Sequence, residues 1–195
     1  MMNKYVIVVA GGKGLRMGSD IPKQFLKVAG RPVLMHTLQV FRNYSEQIRI
    51  LLVLPSGEQD YWNRLCRQYR FDIPHRVVTG GETRFHSVRN GLEAVEDGAL
   101  VAVHDGVRPL VAESVIRDAF GKAENCPAVI PVVRPADSLR QIVSGEKSVS
   151  ADRSLFRLVQ TPQVFQSSLL KKAYGQGYRE FFTDDASVME ASGYE

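Results

Sequence analysis

The feature that most constrains this chain is a rhythm. Short apolar runs rich in Val and Ile alternate with longer segments whose apolar residues recur every three or four positions. The runs cover residues 5–10, 48–54, 76–79, 100–104 and 128–133, bounded by Gly, Pro or Asn, and read as strands. They lack polar alternation, which suits a sheet covered on both faces. The intervening segments read as helices. Residues 32–44 carry Leu34, Leu38 and Phe41 on one face, and 57–69 carry Tyr61, Leu65 and Tyr69. Residues 83–95 carry Val88, Leu92 and Val95, and 112–123 carry Val115, Ala119 and Phe120. This alternation predicts the α/β class: a single Rossmann-like domain with a mostly parallel, mixed sheet flanked by helices. Such sheets take ligands at the carboxyl ends of their strands. The loops after Ala10, Thr79, His104 and Val133 are therefore expected around one crevice.

Residues 137–156 break the rhythm. DSLRQIVSGEKSVSADRSLF reads as two short strands about a Ser144-Gly145 turn. The pattern alone leaves open a surface hairpin or an arm that packs on a second subunit. The 195 residues suffice for one well-buried domain, 1–195, with 137–156 as its β-arm.

Charge and cysteine usage narrow the partners. The chain has 25 basic and 21 acidic side chains, a net charge of +4, with the cations scattered. That points to small anionic ligands; no basic block interleaved with aromatics suggests nucleic acid. Cys66 and Cys126 lack the spacing of a zinc or redox motif and are expected to be reduced and buried. The N-terminal YVIVVA is too short to span a bilayer, and a glycine-rich loop rather than a cleavage site follows it. A cytoplasmic protein with no membrane partner is expected.

The loop AGGKGLRMGSDIPKQF, residues 10–25, follows the first strand. It is not a P-loop, because Lys13 follows Gly12 too early and no Ser or Thr follows it. Nor is it a dinucleotide loop: Gly12 and Gly14 are followed by Leu-Arg-Met-Gly18, one residue too many, and no acidic residue ends the second strand. What remains is glycine-rich backbone whose N–H groups can converge on an anion. Arg16 adds a planar fork and Lys23 a compact charge, with Pro22 fixing the chain beside it. Spacing alone leaves a tight turn with two solvated cations as the alternative.

The stretch Gly11-Gly12-Lys13-Gly14-Leu15-Arg16-Met17, with Pro22-Lys23-Gln24 after it, resembles the signature of nucleotidyltransferases that make nucleoside-diphospho sugars and alcohols. GGETRFHSV (80–88), HDGVRP (104–109), DSLR (137–140), ADRSLFRLVQTPQVF (151–165) and TDDASVME (183–190) follow in order. Together they resemble the 2-C-methyl-D-erythritol 4-phosphate cytidylyltransferase family over nearly the whole chain. The resemblance implies transfer of a cytidylyl group from CTP to a sugar-alcohol phosphate, releasing pyrophosphate, on the non-mevalonate isoprenoid route. The nucleophile would be a phosphate oxygen already charged near neutral pH, its second pKa being about 6. No general base is needed, which fits the lack of a recognisable Ser-His-Asp or Cys-His set.

The resemblance also implies roles. Arg16 and Lys23 match the family's transition-state stabilisers. Ala10, Gly11, Gly12 and Gly14 would wrap the triphosphate. Gly81, Glu82 and Ser87 would take the cytosine; on residue types alone, a helix N-terminus with an acidic first turn is the alternative. Asp105 would hold magnesium on the nucleotide, with a loop-capping Asp as its alternative. Arg108 would orient the acceptor, a plain surface salt bridge being its alternative; Thr161 is a further acceptor contact. Ser138 and Arg153 flank the hairpin, which in the family is a dimerisation arm whose arginine holds the acceptor phosphate in the neighbouring subunit. A homodimer with a shared site is implied. His104 is expected to be structural.

The family pattern continues past this point with a strand and a segment bearing another lysine. The sequence ends at Glu195, and its being a piece of a longer protein is the expectation. Three other readings stay open: a ribitol-5-phosphate cytidylyltransferase, a uridylyl- or adenylyltransferase acting on a hexose phosphate, and a non-catalytic nucleotide-binding subunit.

Overall fold

The computed structural model describes residues 2–12 and 21–194. In chain order, strand β1 (Lys4–Val9) is followed by the small hairpin β2 (Lys27–Val28) and β3 (Arg31–Pro32), then helix α1 (Val33–Tyr44). Next come β4 (Arg49–Leu54), α2 (Ser56–Tyr69), β5 (Arg76–Thr79), α3 (Arg84–Leu92), β6 (Leu100–Asp105) and α4 (Glu113–Ala123). Then follow β7 (Ala128–Val129), β8 (Val132–Val133), β9 (Leu139–Ser144) and β10 (Lys147–Ala151). The described chain closes with β11 (Leu158–Val159), β12 (Gln163–Gln166), α5 (Ser167–Tyr174) and α6 (Asp185–Glu190).

Six strands form the central sheet in the order β5-β4-β1-β6-β12-β7. β5, β4, β1 and β6 are mutually parallel, while β12 runs antiparallel to both β6 and β7. The sheet is therefore mostly parallel and mixed. Successive side chains of a strand face opposite sides. Thus Val6, Val8, Leu52 and Ala102 join one core with Leu38 of α1, Trp62 of α2 and Phe120 of α4. Tyr5, Ile7, Leu51 and Val103 join the other with Val88 of α3, Leu170 of α5 and Met189 of α6. Both faces are covered, which is why the strands read as continuous apolar runs.

Three expectations need correction. Residues 128–133 do not form one strand: the chain breaks at Ile130-Pro131, β7 joins the main sheet, and β8 pairs with β11. Proline has no N–H to give a ladder, and here its carbonyl instead accepts from the Gln160 N–H at 2.8 Å. The loop after Val133 consequently leads out to the hairpin rather than into the main crevice. The cysteines are not buried, since Cys66 is half-buried and Cys126 exposed. Burial of Cys66 still pushes its thiol up to about 11.

Among the described residues, β9 and β10 pair only with each other. Their turn residues are Gly145 and Glu146, one position later than expected, with Gly145 at φ +51°, a left-handed conformation that favours glycine. Ile142 is 65% exposed and Val143 and Val149 are similarly open, so this hairpin carries apolar surface that its own chain leaves uncovered.

Candidate active site

The parallel strands end together. Ala10 continues β1 and donates its N–H to the Val53 carbonyl at 3.0 Å; Gly80 follows β5 and donates to Leu54 at 2.8 Å. Beyond β6, Gly106 donates to the Val9 carbonyl at 2.9 Å, while Thr37 of α1 donates its hydroxyl to the Gly106 carbonyl at 2.9 Å. A methyl group on Gly106 would lie 2.8 Å from the Ala10 Cβ, so HDG needs glycine to bring these two loops together.

A cavity of about 330 Å³ opens at this edge. Ala10, Gly11, Gly12, Lys23, Gly81 and Glu82 line it, as do Arg84, Ser87 and Asp105. Lys23 begins a short 3-10 turn behind Pro22, and its side chain crosses Gly12: a Cβ there would come within 2.9 Å of the Lys23 Cε. The neighbouring Gln24 is fully buried; its amide donates to the Ala10 carbonyl at 2.8 Å and to Glu58 Oε2 at 2.6 Å. Its Oε1 has no partner among the described residues. Burial raises the Glu58 carboxyl above its ordinary range, partly opposed by the Gln24 amide.

Gly81 donates its N–H to the Ser87 hydroxyl at 3.1 Å, which folds the GGET turn onto the first turn of α3. Thr83 caps that helix, its hydroxyl accepting from the His86 N–H at 3.4 Å. Glu82 stays exposed on the cavity lining.

A second cavity of about 260 Å³ adjoins the first and shares Arg84 and Asp105 with it. Arg108, Thr161, Thr183 and Asp184 also line it. Asp105 Oδ2 accepts from Arg108 Nε at 2.7 Å, and Arg108 reaches on to Gln160 at 2.6 Å. The Asp105 Oδ1 lies 3.9 Å from Arg84 Nε. The Thr161–Pro162 peptide is cis.

His104 is fully buried beneath this wall. Its Nε2 lies 3.0 Å from the Arg108 carbonyl, which can only accept, so Nε2 carries the proton. Nδ1 is then the acceptor for the Thr161 hydroxyl at 3.0 Å, and the Thr161 oxygen accepts in turn from the Asp105 N–H at 3.4 Å. Burial drives the His104 pKa down to about 4, against the pull of the Arg108 carbonyl. The imidazole is therefore a neutral strut.

The structure thus brings together Ala10, Gly11, Gly12, Lys23, Gly81, Glu82, Ser87, Asp105, Arg108 and Thr161 around two joined cavities. Gly14 and Arg16 lie outside the described residues. Ser138 and Arg153 line neither cavity of their own chain; both are exposed, and Arg153 donates to the Ala136 carbonyl at the root of the hairpin. Sequence reasoning missed Arg84, Gln24 and the wall formed by Gln163 with Thr183–Asp185. For Gln24 the signal was its place directly after Pro-Lys; for the others, only the tertiary fold pairs them.

Paired cavities at the carboxyl edge of an α/β sheet, one ringed by glycine backbone, define an α/β domain built to seat small ligands beside one another. The family profile described as 2-C-methyl-D-erythritol 4-phosphate cytidylyltransferase matches residues 4–195, and the chain belongs to this family. It is 58% identical over 193 residues to the 2-C-methyl-D-erythritol 4-phosphate cytidylyltransferase of Bacteroides thetaiotaomicron, covering 98% of this chain and 87% of that protein. The corresponding enzyme of Phocaeicola vulgatus is 53% identical over 194 residues, covering 100% of this chain and 88% of that protein. Among solved structures, 4-diphosphocytidyl-2C-methyl-D-erythritol synthase from Anaerococcus prevotii superposes with a TM-score of 0.82 at 28% identity, covering 100% of this chain and 84% of that one. The Thermus thermophilus cytidylyltransferase gives a TM-score of 0.74 at 31% identity, over 100% and 86% of the two chains.

Proposed function

We infer that this chain transfers the cytidylyl group of CTP to 2-C-methyl-D-erythritol 4-phosphate, giving 4-diphosphocytidyl-2-C-methyl-D-erythritol and pyrophosphate in isoprenoid biosynthesis. The observation that carries this reading, beside family membership, is the pair of cavities meeting at Asp105 and Arg84. Two polyanions can lie there with their reacting phosphates at a common wall. An oxygen of the acceptor phosphate forms a bond to the α-phosphorus of CTP. The bridging bond from the α-phosphorus to the β-phosphate oxygen breaks, and pyrophosphate leaves with the electron pair. The attacking oxygen is already ionised, so the protein must orient the two phosphates and balance charge.

The proposed roles rest on the family resemblance and, for the described residues, on which cavity they line; Gly14 and Arg16 are assigned from the resemblance alone. Ala10, Gly11, Gly12 and Gly14 offer backbone to the triphosphate, and Lys23 and Arg16 counter charge at the α-phosphate. Gly81, Glu82 and Ser87 take the cytosine; a carboxylate such as Glu82 can accept from its amino group. Arg108 and Thr161 face the acceptor. Arg153 and Ser138, which line neither of these two cavities, serve the neighbouring subunit of a homodimer joined through the 137–156 arm. The exposed Ile142, Val143 and Val149 of that arm support this assembly.

Among the described residues no group of three or more His, Cys, Asp or Glu side chains could hold a metal ion. Asp105 is a carboxylate on the wall shared by the two cavities, and it would be the protein's ligand to a magnesium ion carried in with the nucleotide. When bound, the ion would neutralise part of the triphosphate charge. No helix among the described residues is long and apolar enough to cross a membrane. The proposed location is the cytoplasm, from kinship with bacterial metabolic enzymes.

The test is pyrophosphate release from each of CTP, ATP, UTP and GTP with methylerythritol phosphate or ribitol phosphate, in magnesium. Release with CTP and methylerythritol phosphate alone is expected. Preference for ribitol phosphate would overturn the acceptor assignment, and no release with any pair would overturn the activity.

A further inference from the structure

Arg84 lies on the wall common to both cavities, and a buried acid holds it there. Its Nη1 and Nη2 donate to the two oxygens of Asp185 at 3.0 and 2.6 Å. Asp185 is fully buried, and Tyr174 donates its hydroxyl to Asp185 Oδ1 at 2.6 Å. The peptide N–H groups of Asp185 and Ala186 both donate to Gln163 Oε1, at 3.1 and 3.0 Å, while the Gln163 amide donates to Asp184 at 2.8 Å. The capping box of Asp184 and Ser187 fixes the start of α6. The guanidinium therefore has one orientation, set from behind. Burial works against its charge, but Asp185, Tyr174 and Asp105 outweigh this and raise its pKa.

This arrangement leaves the Nε edge of Arg84 toward Asp105 Oδ1, at 3.9 Å. The other oxygen, Oδ2, pairs with Arg108, which is largely open to solvent and bonded to the half-buried Gln160. Asp105 thus stands between Arg84, clamped from behind and in charge contact at 3.9 Å, and the more exposed Arg108, which bonds it at 2.7 Å. The clamped one comes from α3, beside the first cavity; its clamp comes from α6, whose cap Asp184 lines the second.

We propose that Arg84 is a positioning residue for the cytidylyl transfer: locked by the buried Asp185 carboxylate, it aims Asp105 at the junction of the two cavities. The inference rests on the reading that these cavities hold the two substrates. It makes α6 part of the active site without any of its side chains having to touch a substrate.

The test is a double-mutant cycle. Arg84→Lys keeps the charge but cannot reproduce the planar fork together with the Nε contact. It should lower kcat by about 10- to 100-fold, the scale on which small misplacements near a reacting centre act. KM for CTP and for the acceptor should stay within about threefold. Because Arg84 acts through Asp105, the same substitution in an Asp105→Asn background should cost no more than about twofold. A staple that merely holds α3 to α6 would cost the same factor in both backgrounds, and that result overturns the proposal. A loss carried wholly by KM, or an Asp105→Asn enzyme with full kcat, overturns it as well. Asp185→Asn keeps the shape of the clamp and carries the same cycle should Arg84→Lys fail to fold. A wild type that releases no pyrophosphate overturns the activity and this inference together; an active wild type with an equally active Arg84→Lys variant overturns this inference alone.

Discussion

Acidification tests the burial of His104 directly. The group sits at about 4 in the folded chain against 6.5 in an exposed histidine. Its neutral form is built in: Nε2–H donates to the Arg108 carbonyl, and Nδ1 accepts from Thr161. A second proton on Nδ1 would meet an oxygen already accepting from the Asp105 N–H. The folded pKa is depressed, so below about pH 6.5 the unfolded chain binds more protons and stability falls with pH. The loss accumulates down to the folded pKa near 4 and then levels. At about 1.4 kcal/mol per unit, the full effect is about 3 kcal/mol, of which about 2 is lost by about pH 4.5. His75, also lowered by burial, acts in the same direction, as does protonation of paired carboxylates. A difference measurement isolates His104. Urea unfolding of wild type and His104→Gln, at one protein concentration and at about pH 7, 5.5 and 4.5, gives both slopes. The variant retains a donor for Arg108 but cannot titrate, so its stability should fall by about 2 kcal/mol less than the wild type's over that range. Parallel pH dependences would refute the argument.

Further expectations are more direct. Lys23→Ala should lower turnover by about 10²- to 10³-fold while weakening CTP binding much less, because in its proposed role it counters charge at the α-phosphate; stopped-quench turnover beside CTP titration calorimetry separates the two, and unchanged turnover would remove Lys23 from the reaction. In the proposed shared-site dimer, mixing Arg153→Ala with Lys23→Ala subunits should restore part of the activity, since one site of the mixed dimer would be intact; an inactive mixture argues against a shared site. Gly106→Ala should cost about 1–3 kcal/mol in urea unfolding, because its methyl must displace Ala10 and Leu34; a cost near zero would mean the two loops can separate freely.

The parts of the fold that were readable are those whose residues declare their surroundings locally. β1, β4, β5 and β6 are apolar on both faces because both faces are covered, and α1 to α4 repeat apolar residues at helical spacing. β12 was not readable: QVFQ offers two apolar residues between glutamines, and each glutamine is spent on a tertiary bond. α5 and α6 are 8 and 6 residues long, too short for their period to stand out. Within the site, GGET, HDG and Pro-Lys were visible because each motif is continuous and ends at the same edge of the sheet. The Arg84–Asp185 clamp was hidden, since its partners are 101 positions apart and each alone looks like a surface charge. His104 showed as a strand residue, but only the fold reveals that Thr161 fixes its tautomer.

The reversed direction of β12 bears on how the molecule folds. The parallel strands β4 and β6 must each travel through a long crossover before meeting β1. β12 enters from the active edge, runs to the far side, and α5 brings the chain back, so that Gln163 meets Asp184 only 21 positions later. That closes a loop with modest entropy loss once β6 is in place. Residues 167–190 are thereby a near-local annex to β12, which itself lies inside the sheet between β6 and β7. Amide exchange across α5 and α6 should report a single shared opening energy, lower than that of β1. The wall that clamps Arg84 would then assemble last and open first, giving the catalytic edge a looseness that the parallel core does not share.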